Sequence, residues 1–380
     1  LRDLRTGQTR PLTESWDRSV GSIAWAADGR SLFVTAQEVL DHPLFRVDAR
    51  SGKVTRLTRE GTVNNVTPIR GGGVLYTLSS IKAPDDLYRL GRRGGAERLT
   101  AVNADKLAEL DPVSVERFSF PGAAGDRVWG QIVKPGNAKG PLPVAYLIHG
   151  GPQGSFGNSW SYRWNPRMFA APGYAAVSVD FHGSTGYGQA FTDAIQRNWG
   201  GAPLEDLRLG LAAAARADRQ VDANNACALG GSYGGYMVNW IAGNLPEGFK
   251  CLVSHAGVFD TRALAYETEE LWFSEWDFGG PYFEPAAAEV IERWNPVHHV
   301  AKWGTPMLVL HGERDFRIPY SQSLAMFNAL QRRDIPSRLV MFPDENHWIL
   351  KPQNNIQWYR EVHGWLDRWL KGAGGEAAPR

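Results

Sequence analysis

Hydrophobic and polar positions follow two different rhythms along this chain. Up to about residue 112, short apolar runs alternate with polar positions at period two and are cut by Gly, Asp and Pro, as half-buried strands require. Ser31-Leu32-Phe33-Val34-Thr35 and Val74-Leu75-Tyr76-Thr77-Leu78 are of this kind. From residue 113 onward, apolar runs alternate with longer stretches in which apolar residues recur at helical spacing. That order predicts a mainly parallel sheet covered by helices on both faces. Strands are expected at 115–120, 128–134, 143–148, 175–181, 226–230, 251–255, 307–311 and 337–342. Helices are expected over Glu205–Asp218, Ser321–Arg333 and Asn354–Leu370, and residues 372–380 read as a flexible tail.

The first 112 residues also repeat. Leu-Thr pairs stand at Leu12-Thr13, Leu57-Thr58 and Leu99-Thr100, spaced by 45 and then 42 residues. This period suits the four-stranded blades of a β-propeller. A propeller needs about four blades to close, and this stretch holds little more than two. An isolated pair of blades would leave broad apolar faces in water. The expected architecture is therefore an N-terminally incomplete propeller over 1–112, whose other blades are missing from this chain, joined to an α/β domain over 113–371. A small irregular β-domain with accidental repeats is the alternative.

Composition narrows the field. Lys and Arg number 41 against 40 Asp and Glu, a net charge of +1 with no basic footprint for nucleic acid. No apolar run approaches the ~20 residues that span a bilayer. Two cysteines, Cys227 and Cys251, are too few for a disulfide framework or a four-ligand zinc site. They fall on neighbouring predicted strands and read as buried thiols acting as apolar fillers, with a single bridge as the alternative.

Gly230-Gly231-Ser232-Tyr233-Gly234 matches G-x-S-x-G, a weak signal in a chain with 42 glycines. Its setting strengthens it. The apolar run Cys227-Ala228-Leu229 leads in and a helical stretch leads out, the strand–turn–helix that a tight nucleophile turn needs. A serine hydroxyl requires a base, and the base an orienting acid. The next-to-last strand runs into His311-Gly312-Glu313-Arg314-Asp315, and the last into Pro343-Asp344-Glu345-Asn346-His347. The order Ser232, Asp315, His347 is that of the α/β-hydrolase fold. Glu313 is the alternative acid, and His298, His299 and His363 are weaker candidates for the base. Two oxyanion donors are expected, the backbone N–H groups of Tyr233 and of Gly151 in His149-Gly150-Gly151-Pro152. The aromatic segment around Trp272, Phe273 and Trp276 is a candidate substrate wall, with a packed lid edge as the alternative. Glu269 is a candidate partner for a substrate's amino group, against a solvated helical face.

Together, His149–Pro152, the run from His182 to Gly188, the run from Gly231 to Met237, and the Asp315 and His347 loops resemble the prolyl oligopeptidase family of serine peptidases. The stretch Asp180–Gln189 is most similar to the family's dipeptidyl-peptidase and acylaminoacyl-peptidase branch, where many other members carry Arg in place of His182. The resemblance is strong over 115–371 and only propeller-like before that. It implies an α/β-hydrolase domain under a propeller of seven or eight blades, with the active site in a cavity between them that admits short peptides. It implies a serine exopeptidase that releases dipeptides from free N-termini. An acylaminoacyl peptidase, an oligopeptidase or a carboxylesterase are the alternatives, as is an inactive binding scaffold. No cofactor or metal is expected. The expected partners are small peptide substrates and an N-terminal fragment of the same protein carrying the missing blades. A homodimer is left open, and no nucleic-acid or membrane partner is expected. The location is expected to be periplasmic or secreted, with cytoplasmic as the alternative.

Overall fold

The computed structural model describes residues 1–92 and 94–372, so residues 373–380 of the expected tail lie outside the described residues. The chain forms two compact units.

The larger unit comprises 112–155, 163–184 and 191 onward. The smaller unit contributes eight strands, β1–β8, given below; the larger adds β9 (Val113–Pro121), β10 (Arg127–Pro135), β11 (Leu142–Ile148), β12 (Ala175–Asp180), β13 (Val221–Gly231), β14 (Cys251–His255), β15 (Met307–Gly312) and β16 (Ser337–Phe342). They form one sheet in the order β16-β15-β14-β13-β11-β12-β10-β9. Pairing is parallel from β16 through β12, and β10 is antiparallel to both of its neighbours. This is an α/β-hydrolase fold. Every residue of β12, β14 and β15 is buried, which is why those strands read as mainly apolar stretches without a polar face.

Helices cover both faces because each presents one apolar stripe. Ala202–Ala217 buries Leu207, Gly210, Leu211 and Ala214, and Tyr146 donates its hydroxyl to the Leu207 carbonyl at 2.8 Å. Pro352–Leu370 buries Trp358, Tyr359, Val362, Trp365 and Leu366. One expectation is corrected. Cys227 and Cys251 face each other in register on β13 and β14, with Cα atoms 4.7 Å apart, and they form a disulfide instead of two buried thiols. Parallel neighbours in register bring both side chains to the same face of the sheet.

The smaller unit comprises 1–111 with two further segments, 156–162 and 185–190. β1 (Val20–Trp25), β2 (Ser31–Ala36), β3 (Leu44–Asp48) and β4 (Val54–Arg56) form one antiparallel meander. β5 (Thr62–Ile69), β6 (Gly73–Ser80), β7 (Ala83–Leu90) and β8 (Ala96–Arg98) form a second. Both sheets are open. Ala26, Phe33, Leu44, Val63, Val74 and Tyr76 join them in one apolar cluster.

The sequence repeat has a physical cause here. Thr58 Oγ1 accepts the Leu44 N–H and Thr100 Oγ1 accepts the Leu87 N–H, both at 2.9 Å. Arg56 and Arg98 each donate Nε to the carbonyl of the following threonine at 2.8 Å. The Leu57-Thr58 and Leu99-Thr100 pairs thus each close a four-stranded sheet in the same way. The segment 156–162 is held by Asn158, whose Oδ1 accepts the Ile81 N–H at 3.1 Å and whose Nδ2 donates to Asp41 at 3.2 Å. Among the described residues, no helix is long and apolar enough to cross a membrane.

Candidate active site

β13 ends in a turn at Ser232, which opens the helix Tyr233–Asn244. Ser232 sits at φ 59° and ψ −123°, a conformation that residues with a Cβ rarely adopt. Such strain costs about 1–3 kcal/mol and persists only where the surroundings enforce it. Here the enforcement is close packing: a Cβ on Gly234 would lie 2.2 Å from the Ile148 carbonyl oxygen. The Ser232 N–H also donates to the His255 carbonyl at 2.9 Å, which pins the turn to the end of β14.

β11 runs into His149-Gly150-Gly151-Pro152. A Cβ on Gly150 would stand 3.1 Å from Ser232 Cβ and 3.7 Å from Ser232 Oγ, so this loop lies against the serine. Gly151 has φ +122°, and a Cβ there would be 2.5 Å from the Gln153 nitrogen. His149 is stacked on Phe181 with ring centroids 4.2 Å apart, and its Nε2 lies 2.8 Å from Ser184 Oγ. Burial pushes His149 down to about 4, which keeps the ring neutral. Tyr233 is buried, with its hydroxyl donating to the Trp199 carbonyl at 2.6 Å. As the first residue of its helix, it has a backbone N–H without an intrahelical acceptor.

β15 delivers His311 and, in the loop beyond, Asp315. Asp315 Oδ2 lies 2.6 Å from His347 Nδ1 and 3.2 Å from His311 Nε2. Its Oδ1 accepts the backbone N–H groups of Arg317 at 3.0 Å and Ile318 at 2.9 Å. Burial by itself would raise this carboxyl, but the hydrogen bonds from His311 and His347 outweigh it and hold the group well below the usual carboxylate range. Glu313, the alternative acid, is exposed. His255 adjoins both halves of the site. Its carbonyl holds Ser232, and burial, followed by repulsion from His311 and His347, pushes its ring down to about 3. A small cleft beside it is lined by Arg163, Trp164, His255, Ile349, Asn355 and Trp358.

The aromatic candidates share the helix Leu271–Phe278. Trp272 and Trp276 are exposed, at 68% and 41%, whereas Phe273 is half-buried against the core. Glu269 is ion-paired with Arg317 at 3.1 Å, and Glu270 shares the same guanidinium at 2.8 Å. Arg317 thus pairs locally, directly beside the Asp315 loop. Sequence reasoning missed His311 as a second histidine on Asp315, although it opens the same motif. It also missed His255 and the Gln153, Trp199 and Asp277 cluster beneath the loop, which no local pattern marks.

Residues 160–373 match the Prolyl oligopeptidase family. Dipeptidyl-peptidase 5 of Schizosaccharomyces pombe is 41% identical over 376 residues, covering 96% of this chain and 54% of that protein. Dipeptidyl-peptidase 5 of Porphyromonas gingivalis is 35% identical over 376 residues, covering 97% of this chain and 54% of that protein. The structure of an acylaminoacyl peptidase from Pyrococcus horikoshii matches 98% of this chain and 59% of its own, with a TM-score of 0.88 at 23% identity, a likeness of fold. The chain spans about half the length of the curated relatives it matches.

Proposed function

The chain belongs to the prolyl oligopeptidase family, and from that premise we propose that it carries the catalytic domain of a serine exopeptidase acting on short peptides. Ser232 is the nucleophile, His347 the base and Asp315 the acid that orients it. The observation that carries this reading is the 2.6 Å contact of Asp315 with His347 Nδ1, which leaves Nε2 as the nitrogen to take a proton. His347 deprotonates Ser232, and Oγ attacks the scissile carbonyl carbon. The N–H groups of Tyr233 and Gly151 receive the oxyanion. Collapse expels the amine with the proton held by His347, and water repeats the sequence to free the acyl product.

Release of dipeptides from free N-termini is the favoured specificity, supported by the two dipeptidyl-peptidase 5 relatives. Trp272, Phe273 and Trp276 are proposed to wall the acyl side. The pairing of Glu269 with Arg317 favours a second reading, an acylaminoacyl peptidase or oligopeptidase, because that carboxylate is already engaged. Residues 1–112 are proposed to be blades of a propeller whose other blades belong to the half of the relatives' length that this chain does not span. The Cys227–Cys251 bridge supports a periplasmic or secreted location, since disulfides persist in oxidising compartments.

The test is a panel of dipeptidyl, acyl-aminoacyl and simple ester substrates with Ser232→Ala alongside. Dipeptidyl turnover and fluorophosphonate labelling that both vanish in Ser232→Ala support the reading. Wild-type turnover or persistent labelling in that variant overturns it.

A further inference from the structure

One buried carboxylate beneath the site has no place in the triad. Asp277 lies in the last turn of the helix Leu271–Phe278 and has no exposed surface. Its Oδ1 accepts Gln153 Nε2 at 3.0 Å and its Oδ2 accepts Trp199 Nε1 at 2.7 Å. Two further bonds clamp the carbonyls of the same helix end: the Arg197 N–H donates to the Asp277 carbonyl at 2.7 Å, and the Gln196 side chain donates Nε2 to the Trp276 carbonyl at 3.0 Å.

The two side-chain donors belong to opposite halves of the oxyanion hole. Gln153 follows Gly151 by two residues in the loop that abuts Ser232. The Trp199 carbonyl accepts the Tyr233 hydroxyl at 2.6 Å, and its indole meets the Tyr233 ring edge-on at 5.2 Å. Both ends of the Gly151 loop are held by other bonds, His149 to Ser184 and Ser155 Oγ to Asp180 at 2.6 Å. Gln153 anchors the stretch between them.

We propose that Asp277 is a positioning residue for the oxyanion hole, a tie between the Gly151 loop and the platform under Tyr233. The inference rests on the reading of those two N–H groups as the oxyanion donors. An oxyanion hole accelerates acyl transfer only if its donors are held before charge develops. The glycine pair Gly150-Gly151 leaves this stretch conformationally permissive ahead of Pro152, so outside contacts help fix the spacing of the two donors. A carboxylate suits the task because it accepts N–H bonds on both oxygens, whereas an amide turns a donor toward one of its two donor partners. Burial pushes this carboxyl up to about 7 against the pull of both bonds, a cost that close packing does not demand.

The full-length protein carrying Asp277→Asn or Gln153→Ala tests this. Each variant is expected to lose ~10- to 100-fold in kcat while KM stays within ~3-fold, as for an interaction made only in the transition state. Affinity for a peptide aldehyde, whose hemiacetal carries the oxyanion, falls by the same factor, while affinity for the product dipeptide is unchanged. The double variant loses no more than Asp277→Asn alone, since both remove one tie. Wild-type kcat and aldehyde affinity in both variants overturn the proposal, as does an equal loss of aldehyde and product affinity. Should Asp277→Asn fail to fold, the aldehyde-to-product ratio of Gln153→Ala decides. If Ser232→Ala is active, the underlying reading fails; if it is inactive and the tie variants are wild type, only this inference fails.

Discussion

Four nitrogen atoms crowd the two carboxylate oxygens of Asp315: His347 Nδ1, His311 Nε2 and the amides of Arg317 and Ile318. Such a carboxylate stays ionised and fixed, and it can hold His347 in one tautomer. Asp315→Asn would place an amide donor against these donors and turn the imidazole. It is expected to lower kcat by about 10⁴-fold with little change in KM, measured on a chromogenic dipeptide. The same residue affects stability. Its folded pKa is depressed, so its contribution is present above the ordinary carboxylate range and is lost as pH falls below it. Thermal melts between pH 4 and pH 2 should therefore fall less steeply in Asp315→Asn than in the wild type.

At the level of elements, the turn at Ser232 and the two meanders are each held by specific close contacts. A methyl on Gly234 has nowhere to go, because the Ile148 carbonyl would stand 2.2 Å from it. Gly234→Ala is expected to cost at least about 2 kcal/mol and to abolish fluorophosphonate labelling, read from melting temperature and gel fluorescence. In the meanders, Thr58 and Thr100 perform the same task one sheet apart. Thr58→Val and Thr100→Val should each destabilise by about 1 kcal/mol, the net worth of the bond plus the stranded N–H. Faster amide exchange at Leu44 in the first variant and at Leu87 in the second is the expected readout. Unequal responses would show that the two sheets are not equivalent units.

Across the molecule, histidines that are buried or half-buried set the response to acid. His42, His149, His255, His299 and His363 are all held below the ordinary histidine value, chiefly by burial. Their stability contribution is present above ~6.5 and is lost as pH falls through each folded value, about 4 for His149 and about 3 for His255. His182, raised by its carboxylate partners against the opposing effect of burial, and Asp277, raised to about 7 by burial, act in the opposite sense. The depressed histidines outnumber them, so the melting temperature is expected to drop between pH 7 and pH 4. A flat profile over that range would contradict this balance. His149→Gln should flatten the slope, because an amide has no charge to gain.

The sequence by itself determined the strands of the hydrolase sheet, the helices near 205–218, 321–333 and 354–370, the position of Ser232 at a strand–turn–helix junction, and the order in which Asp315 and His347 follow. These are local properties. Period-two and helical patterning, glycines around a tight turn, and a polar residue just beyond an apolar strand can all be read within a few positions. The Leu-Thr repeat was legible for the same reason, since its copies at Leu57-Thr58 and Leu99-Thr100 each close a sheet of their own. Tertiary structure alone decided the rest. It set β13 and β14 in register so that Cys227 meets Cys251, buried Asp315 against His347 while leaving Glu313 exposed, and paired Glu269 with Arg317. It also gathered Gln153 and Trp199 onto Asp277 from 124 and 78 residues away. Contacts across such separations depend on how sheet and helices pack, and no short stretch of sequence carries that information.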